Sequence, residues 1–304
     1  MRRSSIDRGS SLRFAALLGI LLSPEGAWAE PVRRLGVTPL SAPVVVDGDL
    51  GEWSALGSAA AEPIPLQLSE TLEEEETPPP GEEKPPALEI QLGIHGRRLY
   101  VGARWADPTP SQEYKPWRRQ GGRFQQQRLV DDMFVLRFQT GESFSSCMLA
   151  NRPYVTDLWR WSAGRSDLTG IADDMIHRFS DKPFDQPSVE YEGLRGMVYF
   201  LKAMDSGTGG WQMTARPEGS QGGVVPGTET RVPPQGSRAD VVAKGSWRDG
   251  YWSLEMGRDF STGDPEDVLF EPGKGIVFQG GVFLAGYKMK KYITPSLEFG
   301  LPGP

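Results

Sequence analysis

Apolar and polar residues alternate with a period of two in short runs along most of this sequence. Residues 88–94, Leu-Glu-Ile-Gln-Leu-Gly-Ile, turn at His95-Gly96-Arg97-Arg98 and return as residues 99–105, which predicts a hairpin. Residues 132–138 and 158–163 predict two further strands. The C-terminal third continues the alternation through residues 239–247, an Asp249-Gly250 turn, residues 251–256 and then residues 275–284. Near the front, the β-branched run at 43–46 closes on Asp47-Gly48 and Trp53 and predicts one more strand. No segment carries a long 3.6-residue period. The pattern predicts an all-β chain folded as an antiparallel β-sandwich with Greek-key connections, long loops and a few short helices.

Composition sharpens this picture. With 37 Gly and 26 Pro the 304 residues must turn often, and 13 Phe, 9 Trp and 8 Tyr suit short strands. A net charge of -7 argues against nucleic acid as a partner, because binding it needs a basic surface. No apolar run reaches the roughly 20 residues of a spanning helix. The N-terminus has the form of an export signal. Arg2, Arg3, Arg8 and Arg13 precede an apolar run at 14–22, and Ala27-Trp28-Ala29 is an A-x-A cleavage site. The expected division is therefore a cleaved signal peptide over 1–29 and one domain over 30–304, placed in the periplasm if the chain is bacterial. Residues 69–86 are acidic, proline-rich and aperiodic, which predicts a solvated surface loop.

Candidate chemistry is sparse. One cysteine, Cys147, and two histidines, His95 and His177, exclude a thiolate metal cluster and covalent haem attachment. His95 falls at a hairpin turn and reads as an exposed turn residue. No nucleophile elbow, phosphate loop or dinucleotide fingerprint occurs, so no catalytic residue is assigned. The doublets Asp131-Asp132 and Asp173-Asp174 read as acidic pairs on solvated loops. Two features stand out: Met148, in an apolar stretch ahead of the tryptophan-rich residues 157–161, and the cluster Lys288-Met289-Lys290-Lys291-Tyr292-Ile293. On an extended strand Lys291 shares a face with Met289 and Ile293, while Lys290 shares one with Lys288 and Tyr292; the apolar face then carries Lys291.

The order of motifs resembles a known family. Residues 46–53 (Val-Asp-Gly-Asp-Leu-Gly-Glu-Trp), 99–109, 157–163 with Ala172-Asp173-Asp174, and 237–255 followed by 259–270 are similar to the haem-binding gamma subunits of ethylbenzene dehydrogenase, dimethylsulfide dehydrogenase, chlorate reductase and selenate reductase. The Asp-Gly opening followed by Trp53 is shared with a wider group that includes family-nine carbohydrate-binding modules. The resemblance implies a sandwich of that immunoglobulin-like kind holding one non-covalent haem b between an axial methionine and an axial lysine. The family's methionine falls on Met148 and its lysine on Lys291, with Lys290 the runner-up. It implies a non-catalytic periplasmic electron-transfer subunit, partnered by a molybdopterin-containing alpha subunit, an iron–sulfur beta subunit and a soluble periplasmic cytochrome. Two departures stand against the pattern: the acidic loop resembles an insertion, and residues 283–286 lack the acidic residue that many relatives carry, which leaves the lysine register open. The competing expectation is a secreted carbohydrate- or small-ligand-binding sandwich, with Trp105 or Trp117 stacking on sugar rings.

Overall fold

The computed structural model describes residues 32–69, 86–218, 223–285 and 289–303. The expected signal peptide and nearly all of the acidic loop lie outside the described residues. Twelve strands carry the architecture: β1 (Leu88–His95), β2 (Arg98–Ala106), β3 (Met133–Gln139), β4 (Tyr154–Ser162), β5 (Asp173–Ser180), β6 (Val189–Gly193), β7 (Gly196–Met204), β8 (Val242–Arg248), β9 (Tyr251–Asp259), β10 (Gly275–Leu284), β11 (Lys290–Ile293) and β12 (Leu297–Gly300). A ten-stranded sheet runs β12-β10-β3-β4-β5-β7-β6, with a two-residue strand at Arg33–Arg34 beyond β12, and with β11 pairing both β10 and Gln67–Leu68. A six-stranded sheet runs β8-β9-β2-β1 and ends on Val37–Pro39, with Glu62–Ile64 also pairing β1. The helical content among the described residues is three 3-10 turns, at Leu50–Glu52, Ser166–Thr169 and Ser237–Ala239.

The two sheets bury their alternating apolar faces against each other. Phe134, Leu136 and Phe138 of β3, Trp159 and Trp161 of β4, and Phe278 and Val282 of β10 meet Leu88 and Ile90 of β1, Val101 and Trp105 of β2, and Trp252 and Leu254 of β9 in one cluster. Trp105 stacks on Phe134 at 5.4 Å, and Trp161 meets Trp252 edge-on at 5.0 Å, geometries that add to the burial of the rings. The Trp161 ring explains a small residue opposite it: a Cβ on Gly245 would lie 2.2 Å from that ring. The predicted Asp249-Gly250 turn is present, with φ of 52° and 82°, the left-handed pair that a two-residue hairpin needs.

The predicted strand at 43–46 does not form. Those residues pair with no strand, and the segment after them closes as the 3-10 turn Leu50–Glu52. Glu255 on the outer side of β9 supplies the reason. Its carboxylate accepts the backbone N–H groups of Asp47 and Gly48, each at 2.9 Å, and the Trp53 indole N–H at 2.7 Å. A side-chain acceptor thus replaces the strand partner, while Leu40, Val44, Trp53 and Tyr100 pack as a separate small core.

Candidate functional site

The register of the large sheet decides which side chains leave the core. On β3 the residues between the buried phenylalanines and leucine are Val135 and Arg137. Arg137 stands beside Gln279 on one neighbour and Leu158 on the other. Leu158 then faces Met175, and one step along the strands Thr156 faces His177, which faces Lys202. These residues, with Tyr154, Arg160, Phe179 and Phe200, form the outer face of the sheet, turned away from the six-stranded partner.

This face is covered. Arg137 is 5% exposed, His177 9% and Thr156 0%. Tyr154, Phe179 and Phe200 stack in sequence at 4.4 and 4.5 Å and make a third apolar cluster with Val198. Part of the cover is the loop between β3 and β4, which carries Met148. Arg137 Nη2 donates to the Ser145 carbonyl at 2.8 Å, the Tyr191 hydroxyl donates to the Met148 carbonyl at 2.7 Å, and the Leu194 N–H donates to the Leu149 carbonyl at 3.0 Å.

Lys291 reaches the same face from the opposite edge, which corrects the face expected from the lysine pattern. Tyr292 is 5% exposed and belongs to the main core, so Lys290, two residues before it, lies on the core side of β11. Lys291 pairs with Phe283 and Ile293 with Gly281, on the outer side. Gln279 joins the two ends: its amide donates to the Thr294 carbonyl, three residues past Lys291, at 2.9 Å, and to the Ser146 carbonyl, two residues before Met148, at 3.4 Å. The segments expected to carry the ligands therefore meet. Met148 itself stands at the rim, 37% exposed, and no hydrogen bond joins its sulfur to Lys291 among the described residues. Lys288 lies outside the described residues.

The electrostatics of this face are one-sided. Burial lowers the pKa of Lys202, helped by the charges of Arg160 and Lys291. Five strand steps separate β11 from β7 in the sheet. Burial holds the His177 pKa well below its ordinary value, with Arg137, Lys202 and Arg160 adding to the effect, and the imidazole is neutral. Arg160 is balanced by Asp173 at 3.0 Å, which also takes Arg238 at 2.9 Å. Arg137 has no carboxylate among the described residues. Its Nε and Nη1, the Tyr154 hydroxyl, Thr156 Oγ1, His177 Nδ1 and Arg160 Nε are all buried and without a hydrogen-bond partner. Such groups are rarely left unpaired in a protein interior. The cations, the thioether and the amine fit a flat apolar ligand that carries carboxylates and a metal, as haem does. Sequence reasoning missed Arg137, Tyr154, Thr156, Arg160, His177 and Lys202; the available signal was Arg137 and His177 set singly in strands apolar on both faces, a mark of a sheet covered on both sides.

A second charged cluster lies on the core side of the same sheet. Both acidic doublets are buried, contrary to the solvated loops expected of them: Asp131, Asp132, Asp173 and Asp174 are each 0% exposed. Asp131 pairs with Arg165 at 2.9 Å. Asp132 accepts from Ser111 N, Ala285 N and Trp252 Nε1, and burial still raises its pKa to about 7. Carboxylate oxygens of Asp157, Asp174 and Asp267 come within 4.8 Å of one another, a spacing that could hold a metal. Arg258 takes that place instead, with Nη1 at 2.7, 3.1 and 3.8 Å from the three. A cavity of about 490 Å³ opens beside it, lined by Asp240, Thr262 and Asp264 among others. Arg98 and Arg258 line it too, so its wall mixes both signs of charge. Of the tryptophans expected to stack on sugar, Trp105 is 0% exposed and closed within the core, while Trp117 is half-buried with its indole N–H on the Thr214 carbonyl.

No curated protein sequence matches the chain. Among solved structures, a family-nine carbohydrate-binding module from Caldicellulosiruptor kristjanssonii in complex with cellotriose is similar at 12% identity and a TM-score of 0.39, over 90% of this chain and 95% of that one. The structure of such a module from the same organism in complex with glucose is similar at 14% identity and a TM-score of 0.38, over 90% and 97%. The family model described as ethylbenzene dehydrogenase matches residues 58–290, a span that holds Met148, Lys290 and β1 to β10, and that ends one residue before Lys291. The chain belongs to the ethylbenzene dehydrogenase family.

Proposed function

We propose that this protein is a periplasmic electron-transfer subunit that binds one haem b without a covalent link. It relays electrons between the iron–sulfur subunit of a molybdenum oxidoreductase and a soluble redox partner. The observation that carries this reading is the outer face itself: buried donors without partners, lying between the Met148 loop and the Lys291 strand.

Met148 would offer its thioether and Lys291 its amine to the haem iron. When bound, haem supplies a one-electron couple at a potential set by ligand identity, burial and nearby charge. With both ligands drawn from the protein, the chain would carry electrons rather than bind a substrate at the metal. Lysine can ligate only as the neutral amine. Phe283 and Ile293 lie on the Lys291 side of β10 and β11. The loop bearing Met148 covers the face beside Arg137 and keeps water from it.

The test is an absorption spectrum and pyridine haemochrome assay on the full chain exported to the periplasm. A six-coordinate b-type spectrum is expected. Met148→Ala and Lys291→Ala should each convert it to a high-spin form, while Lys290→Ala should not. A folded, colourless protein that takes up no added haemin overturns the reading and favours glycan binding.

A further inference from the structure

We infer that Arg137 is the seat of the haem carboxylates, flanked by Tyr154, Thr156 and His177. The assignment rests on the haem reading above and extends it from the axial ligands to the rim of the ring. Among the described residues three arginines are buried, and two of them are matched by carboxylates: Arg165 by Asp131 and Arg258 by Asp157, Asp174 and Asp267. Arg137 is the third; it donates to the Ser145 carbonyl and lies against the Tyr154 hydroxyl and the Phe144 ring, none of which carries a counter-charge. A buried guanidinium without a counter-charge carries an uncompensated desolvation cost, and it cannot escape by losing its proton.

The neighbouring groups point the same way. The Tyr154 hydroxyl lies beside Arg137, while Thr156 Oγ1 and Nδ1 of neutral His177 are buried with no partner among the described residues. Lys202 stands opposite His177 in register and adds positive charge at the edge. Two free N–H-bearing atoms on Arg137 and two hydroxyls can serve the oxygens of carboxylates, with the charge-assisted bonds coming from the arginine. The apolar part of such a ligand would meet Leu158, Met175 and Phe283 on the same face. A small anion such as phosphate shares the oxygen chemistry but has no apolar body, and the experiment separates the two.

The experiment compares haemin with haemin dimethyl ester, which has the same ring and metal but no carboxylates, on the full chain freed of haem. Haemin is expected to bind about ten- to a hundredfold more tightly than the diester, the range of one or two charge-assisted hydrogen bonds. Arg137→Gln should collapse that ratio to within about threefold. Should that variant not fold, the wild-type comparison still decides, and Arg137→Lys should keep part of the ratio. Equal wild-type affinity for both porphyrins overturns this assignment and leaves the haem reading standing. Uptake of neither porphyrin overturns both, and stabilisation by inorganic phosphate alone would then mark the face as a small-anion site.

Discussion

The large sheet buries charge on both sides and balances it in opposite ways. On the core side, Asp157, Asp174, Asp205, Asp240 and Asp267 gather around the single guanidinium of Arg258. On the outer side, Arg160 and Arg238 share one carboxylate, Asp173, and buried Arg137 has none among the described residues. An excess of buried carboxylates can relieve itself by binding protons. Desolvation first, then repulsion from Asp267 and Asp157, raises Asp205 to about 7; desolvation, with repulsion from Asp267 and against the pull of Arg258, does the same to Asp240. A guanidinium has no such escape at physiological pH, even though burial lowers the Arg137 pKa. Acid excess can therefore be a structural device, whereas an excess of buried arginine calls for an anion from outside the chain.

The sharpest way to break this comparison is to remove each arginine in turn. Arg258→Met strands three carboxylates against the core and should cost about 3–5 kcal/mol in urea unfolding at pH 8. Part of that loss should return at pH 5, where the carboxyls can protonate; an equal loss at both pH values would refute the self-neutralising account. Arg137→Met should have the reverse sign in the haem-free chain, with stability held or raised by about 1 kcal/mol, because an unpaired charge is replaced by an apolar chain. A loss above about 2 kcal/mol would show that the chain itself supplies a counter-charge.

The two sides should also differ in pH dependence. Asp205 and Asp240 have folded pKa values of about 7, raised from 3.8, so the folded state binds more protons between those limits. Their contribution is fully present at low pH and lost as pH rises through 7. The depressed pKa of His177 works the other way: its contribution is present above the unfolded value of 6.5 and lost as pH falls below it. The thermal midpoint of the haem-free chain should therefore rise as pH drops from about 7 toward 4, less steeply below 6.5, where the one histidine opposes the two aspartates. Asp240→Asn should reduce that rise and His177→Phe should steepen it below 6.5, which scanning calorimetry across pH can check. The smallest effect belongs to Thr156→Val. Its hydroxyl has no partner to lose, so denaturation of the haem-free chain should change by under about 0.5 kcal/mol.

Much of the fold was legible. The hairpin of β1 and β2, the strands β3, β4, β9 and β10, and the Asp249-Gly250 turn follow from alternation and turn chemistry, which are local. The run at 43–46 misled because Glu255, some 200 residues away in sequence, satisfies its neighbours through a side chain. Local pattern holds no trace of such a partner. The buried aspartates misled for the same reason: Asp174 reads as a solvated acid until Arg258 is seen beside it. At the candidate site, the family resemblance pointed to Met148 and Lys291, and the strand's alternation put Lys291 and Lys290 on opposite faces. What alternation could not say was which of the two faces is the core.

By itself, then, the sequence determined the class of fold, most strand positions and the small set of side chains able to ligate a metal, because periodicity, turns and residue chemistry act over a few neighbours. The tertiary structure decided everything that depends on pairing across the sheet. Register put Arg137, Thr156 and His177 on one covered face with Lys202 at its exposed edge, and Gln279 tied the Met148 loop to the end of β11. The physical reason is that buried charge is balanced by distance in space, and distance in space is set by strand order, which no local stretch of the chain contains.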